Sequence, residues 1–209
     1  MKIFYIADLH FFHKNALAFD ERPFSSLEEM HEKMVKKWNK KVAEEDQVYI
    51  LGDVGLGGTK EEKEWLVGSL RGKKILVRGN HDKQNDVAYQ NLFTKICDYE
   101  ELTDVAWGKR YKLVLSHYPF YSWAGMQWGS ILLYGHVHNG PEDVLYQADL
   151  RERNRVLGGV IYKKQLIAIN VGCMKSWMDY EPRTLEEIIE RKIIKDKKTG
   201  GKNYGSKNN

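Results

Sequence analysis

Two imidazoles two residues apart close the run Gly135-His136-Val137-His138, and on extended backbone that spacing sends both rings to one side of the chain. The pattern gains weight because other residues able to bind cations or move protons also follow short apolar runs. Asp8 and His10 come after residues 2–7, Asp53 after 47–51, Asn80 and His81 after 73–77, and His117 after 111–116. The set Asp8, His10, Asp53, Asn80, His117, His136 and His138 offers carboxylates, imidazoles and one amide but no thiolate. Such donors suit manganese, iron or zinc in a reactive site rather than a cysteine-built structural zinc site. Seven donors exceed what one tetrahedral ion uses, whereas two ions sharing a bridging carboxylate account for the number. Two metals about 4 Å apart activate a hydroxide and neutralise phosphoryl oxygens during in-line displacement.

The apolar runs read as strands that all end at one edge, which in open α/β sheets is where ligands bind. Between them the helices carry their own start signals. A short helix is expected near 16–20. Ser26 with Glu29 forms a capping box ahead of an amphipathic helix whose inner face is Leu27, Met30, Met34, Trp38 and Val42. Thr59 with Glu62 opens another that closes near Gly68, Asp82 is expected to cap one reaching Tyr89, and Thr184 with Glu187 starts the last, with Leu185, Ile188 and Ile189 inward. Residues 96–116 read as a hairpin turning at Trp107-Gly108-Lys109, and 156–162 with 165–171 as a second one turning near Lys163-Lys164. Alternation early and hairpins late predict an α/β fold, a four-layer α/β/β/α sandwich of two mixed sheets with the metal site at the strand ends.

Length and charge bound the organisation. A chain of 209 residues suits one domain, placed at 1–190. The formal charge of +4 resides in the tail: from Arg191 onward seven Lys or Arg face Asp196 alone, and the body is slightly acidic. Residues 191–209 are therefore expected to be a basic, disordered, solvated tail. No apolar run approaches a membrane span and Met1-Lys2 leads directly into a strand, so neither a membrane segment nor a signal peptide is expected. Cys97 and Cys173 read as a reduced pair, and the expected location is cytoplasmic.

Taken in order, Asp8-x-His10, Gly52-Asp53, Gly79-Asn80-His81-Asp82, His117 and Gly135-His136-x-His138 resemble the five-block signature of the calcineurin-like metallophosphoesterase superfamily. Residues 15–24 and the segment from Asn170 through Glu187 resemble its small bacterial and phage members. The resemblance implies a binuclear metal-dependent phosphohydrolase cleaving phosphomonoesters or phosphodiesters, with a metal-bridging hydroxide as nucleophile. It implies that Asp8, His10 and His138 hold one divalent ion, that Asn80, His117 and His136 hold the other, and that Asp53 bridges them. Manganese is the leading expectation, with iron, zinc or nickel as alternatives. His81 falls where the family places the catalytic histidine that supports the leaving-group oxygen. The superfamily's protein serine/threonine phosphatases carry an Asp-Arg pair soon after the second block; here Val54-Gly55-Leu56-Gly57-Gly58 follows, which argues against phosphoprotein phosphatase activity. Nuclease or cyclic-nucleotide phosphodiesterase activity is the alternative, and a non-catalytic metal-binding scaffold a more distant one.

Several residues bear on substrate. His13 and Asn15 either touch it or merely begin a short helix, Arg78 either grips phosphate or pairs with a surface acid, and Asp82 either orients His81 or caps a helix. His31, within the amphipathic helix, is expected to be exposed or at the boundary of the buried face. Trp123 belongs to an aromatic loop with Tyr118, Phe120, Tyr121 and Trp128 that either stacks on a nucleobase or packs on itself. Arg151, Arg153 and Arg155 alternate with Glu152 and Asn154, so an extended backbone would align three guanidiniums, either to bind a phosphate chain or as a solvated edge strand protected by charge. The expected partner is a phosphoester, with a nucleotide or nucleic acid as candidates.

Overall fold

The computed structural model describes residues 1–82 and 87–200. Strands β1 (Ile3–Ile6), β2 (Gln47–Ile50), β3 (Lys73–Val77) and β4 (Lys95–Cys97) form one sheet in that order, parallel throughout. The mixed character expected of it is confined to an antiparallel bridge between Tyr5 and Arg183 at the β1 edge. Strands β5 (Glu100–Ala106), β6 (Lys109–Leu115), β7 (Ile131–Tyr134) and β8 (Ile167–Asn170) form the second, with β5 antiparallel to β6 and the remaining pairs parallel. The turn at Trp107-Gly108 joins β5 to β6 as the sequence predicts.

Alternation along the strands builds the layers. In the second sheet Leu113, Leu115, Ile131, Leu133 and Ile169 share the main core with the first sheet. Val114, Leu132, Tyr134 and Ala168, one residue out of phase, form a smaller core with Leu150 on the opposite face. Tyr5 reaches between the sheets, its hydroxyl donating to Asp104 on β5 at 2.8 Å. The sheets also meet at the metal edge, where the continuation of β8 pairs with β1 through Ala7 and Gly172.

The helices start where their caps direct. Helix α1 spans Asn15–Phe19. Helix α2 (Leu27–Lys41) is capped by the Ser26 side chain and buries Met30, Met34 and Trp38, and α3 (Lys60–Ser69) opens with a complete Thr59–Glu62 capping box. After β3 the helix α4 is described over Val87–Gln90; the residues between it and Asp82, 83–86, lie outside the described residues, so the expected cap falls there.

Two expectations fail in the last third. Residues 141–157 form α5 (Pro141–Leu157), so Arg151, Arg153 and Arg155 lie on a helix rather than in an extended row, and the hairpin expected at 156–171 keeps only β8. Proline at the first helical position and Glu142 and Asp143 in the first turn favour a helix start there. The last helix, α6 (Leu185–Gly200), packs against β1 and β5 and continues past residue 190, where the tail was expected to begin; residues 201–209 lie outside the described residues. Among the described residues no helix is long and apolar enough to cross a membrane, and Cys97 and Cys173 are unbonded to each other.

Candidate metal centre

The loops after β1, β2, β3, β6 and β7 deliver all seven expected ligands to one edge. Asp8, His10 and His138 each offer an atom within 4.8 Å of the other two, and Asp53, His117 and His136 form a second such group. Asn80 joins the second, its Oδ1 lying 3.0 Å from His117 Nε2. One carboxylate oxygen reaches both groups: Asp53 Oδ2 is 3.6 Å from His10 Nε2 and 3.5 Å from His117 Nε2.

These loops hold costly backbone. Asp8, His10, Asp53, His136 and His138 all have φ between 46° and 69°, a region that costs a residue with a side chain about 1–3 kcal/mol. Buried polar contacts enforce it. The Asp8 carboxylate accepts from the His136 N–H at 3.0 Å, and the Asp82 carboxylate accepts from the N–H groups of Asp53, Val54 and Gly79, at 2.7, 3.0 and 2.8 Å. Asp82 therefore ties the loop after β2 to the loop after β3 instead of orienting His81. Glycine at two positions makes the approach possible: a Cβ on Gly52 would stand 2.3 Å from His117 Nδ1, and one on Gly79 2.3 Å from Asp53 Oδ1.

Neighbours fix which ring nitrogen faces the centre. The Leu51 carbonyl is 2.9 Å from His117 Nδ1, and the Asp20 carboxylate 2.8 Å from His138 Nδ1, so each Nδ1–H donates outward and each Nε2 lone pair turns inward. His10 Nδ1 lies 3.2 Å from His13 Nδ1, and the tautomer in which His10 donates there leaves its Nε2 for a cation. Asp20 was not singled out from the sequence, nor was Arg22. The buried Arg22 guanidinium donates to Asp20 at 2.9 Å and to the carbonyls of Asp8 and Leu9 at 2.9 and 2.7 Å, fixing the first ligand loop from beneath. The one signal was their polarity within a segment between aromatic residues Phe19 and Phe24. His31, half-buried, accepts from the Phe12 N–H at 2.9 Å and steadies the same loop.

Burial dominates the titration of the first group. It lifts Asp8 to about 6 against the pull of His138 and His117, and drives His10 down to about 2, helped by the neighbouring His138 and Arg22. Burial also lowers His138, but the Asp20 hydrogen bond and the Asp8 and Asp20 charges outweigh it and leave that imidazole above its ordinary value. His136 is lowered, mainly by burial. A cage with buried acids, His10 and His136 pushed towards the neutral form and lone pairs turned inward is incomplete electrostatically without cationic charge. Its oxygen and nitrogen donors fit divalent manganese, iron or zinc, while the Cys173 thiol donates to the Asp8 carbonyl at 3.0 Å.

The remaining candidates sort by position. The His81 ring is half-buried, its Nε2 4.0 Å from Asp53 Oδ2, and the residue's main-chain N–H donates to Asp53 Oδ1 at 3.0 Å. His13 stands against His10, and Asn15 is exposed at the start of α1. Arg78 is exposed and paired in a bidentate manner with Asp98, at 2.8 and 2.9 Å. Trp123 is not a substrate contact: it is buried in the smaller core, with its indole N–H donating to the Ser130 carbonyl at 3.2 Å. Arg153 is buried beneath the Tyr121 ring and Arg155 pairs with Glu152, so the arginines form no phosphate-binding row.

Comparison with known proteins agrees with this geometry. The family profile described as calcineurin-like phosphoesterase matches residues 1–158. An uncharacterized protein of Methanocaldococcus jannaschii is 35% identical over 138 residues, covering 66% of this chain and 69% of its own. The Gene 66 protein of Mycobacterium phage D29 is 28% identical over 161 residues, 66% of this chain and 78% of the phage protein. The crystal structure of a protein of unknown function from Aquifex aeolicus superposes with a TM-score of 0.60 at 26% identity, covering 92% of this chain and 97% of that one.

Proposed function

We propose, from the premise that the chain belongs to the calcineurin-like phosphoesterase family and is thereby a metal-dependent phosphoester hydrolase, that it cleaves phosphomonoesters or phosphodiesters at a two-cation centre. The observation that carries this reading is the placement of Asp53 Oδ2 within 3.6 Å of His10 Nε2 and 3.5 Å of His117 Nε2. One cation would be held by Asp8, His10, His138 and Asp53, the other by Asp53, Asn80, His117 and His136. When bound, the pair supplies Lewis acidity to the phosphoryl oxygens and makes an ionised water available near neutral pH.

The chain's own residues do the rest. Asp53 keeps the two halves in register through its carboxylate, and its Oδ1 holds the His81 main chain at 3.0 Å. The His81 ring, beside that carboxylate and open on its outer side, is placed to give a proton or positive charge to the departing oxygen. Its orientation comes from the backbone bond and from the His10 and His13 rings, 5.8 and 6.3 Å away between centroids.

Manganese is the first metal to try, then iron, zinc and nickel. The test is hydrolysis of p-nitrophenyl phosphate and bis(p-nitrophenyl) phosphate by protein titrated with each metal, with metal content measured in parallel. Turnover rising with the second equivalent of metal is expected; protein that binds two equivalents yet hydrolyses neither ester defeats the proposal.

A further inference from the structure

We propose that a cleft beside the second half of the centre holds a nucleoside carried as one ester group of the substrate, an inference that rests on the phosphoesterase reading above. The cleft, of about 600 Å³, begins at Asn80 and runs between the ends of β3 and β4 and the loop after His117. Its inner end is thus a residue of the metal centre, and its size is ordinary for a small-molecule site. Tyr118 belongs to both: it lines the cleft, the residue is 42% exposed, and its ring centroid lies 4.6 Å from that of His136. On the other flank the Phe19 ring stands 5.2 Å from His138 and 5.9 Å from His10 between centroids. An ester group on a phosphate spanning both halves meets a wall at Phe19 and finds room past Tyr118.

The lining selects among ester groups. Tyr118 and Phe120 offer aromatic surface and Leu76 and Ile96 an apolar floor, which suit a flat ring. At the mouth, Arg78 is neutralised by Asp98, so the cleft has no surplus cation there for a second phosphate. That exposed pair of donor and acceptor suits the polar edge of a base and disfavours an alkyl chain. A methyl or seryl ester would leave most of the volume to water.

The experiment compares two phosphodiesters that share p-nitrophenolate as leaving group and differ in the other ester, methyl or 5′-thymidine. The thymidine ester should have a kcat/KM at least about tenfold higher, mainly through KM, as stacking one base implies. Tyr118→Ala should reduce that ratio towards one, and Ile96→Phe, which fills the floor, should do the same if the alanine variant folds poorly. Hydrolysis of both esters without preference, or a preference that Tyr118→Ala leaves intact, overturns the nucleoside site while the phosphoesterase reading stands. If neither ester nor p-nitrophenyl phosphate is hydrolysed, the phosphoesterase reading fails. Calorimetry with thymidine 5′-monophosphate on metal-loaded wild type and Tyr118→Ala then decides the cleft: tighter binding to wild type supports it, and equal or absent binding rejects it. A single-stranded oligonucleotide distinguishes the sources of the nucleoside, cleavage indicating nucleic acid and resistance with an intact thymidine preference indicating a free nucleotide.

Discussion

Around Asp8, His10 and His138 the support is a buried ion pair, Asp20 with Arg22, whereas the His117 ring on the other side is held by the main-chain carbonyl of Leu51. Each triad has two buried members and one half-buried, Asp8 and His10 with His138 on one side and Asp53 and His117 with His136 on the other; the second side adds the half-buried Asn80, which lines the cleft. A buried charge pair specifies geometry strongly but fails badly if one partner is removed. A backbone carbonyl cannot be lost to a side-chain substitution. The His138 ring, anchored by charges, is thus more easily lost than the His117 ring, anchored by backbone, and the His117 side is the one that adjoins the cleft through Asn80.

Asp53 belongs to both halves, so Asp53→Asn should erase the distinction between them. Turnover is expected to fall by about a thousandfold while circular dichroism stays native; near-normal activity would remove the bridging role. Asp20→Ala should separate the halves. Affinity for one of the two cations is expected to drop about 10- to 100-fold in a chelator competition, with the other cation retained. Unfolding in urea should show a loss of about 3–5 kcal/mol from stranding Arg22. Equal weakening of both cations would contradict separate anchoring.

A pH titration sharpens the contrast. Below about 6 Asp8 carries a proton that a cation must displace, and His138 holds one above its ordinary range. Cation affinity of the first half should therefore climb at least roughly tenfold per pH unit up to about 6, with proton release visible in calorimetry. His136, pushed the other way by burial, adds no such release to the second half. In the metal-free chain the Asp8 contribution has the opposite sense. Its carboxyl rises from 3.8 to about 6 on folding, so the stability it gives is full below 3.8 and is lost as pH rises through 6. The smallest effect belongs to Asp98→Asn. Its partner Arg78 is exposed, so stability should change by less than about 1 kcal/mol, against the larger cost at Asp20.

The same contrast explains what could be read from the sequence. Ligands such as Asp8, Asp53 and His117 were visible because each terminates an apolar run, and α2 was visible because Ser26, Glu29 and a regular inner face agree. Asp20 and Arg22 sit in a turn without periodicity, and Asp20 finds its imidazole 118 residues away. Helix α5 inverts the usual pattern: Asp143 and Arg153 are buried while Val144 and Leu145 are exposed. The buried Asp143 is satisfied from outside the helix, by Lys175 at 2.6 Å and by the Tyr134 hydroxyl at 2.7 Å. Trp123 misled because an aromatic loop beside a ligand looks alike whether its rings face outward or inward.

The rung between Ala7 and Gly172 has a consequence for how the enzyme matures. Asp8 draws its hydrogen bond from His136, 128 positions later, and its carbonyl is met by Cys173, 165 positions later. A nascent polypeptide on the ribosome cannot assemble this cage until residue 173 has emerged. Filling of the cage consequently waits on residue 173, and the metal supply met after that point, rather than earlier in synthesis, governs which ion it acquires.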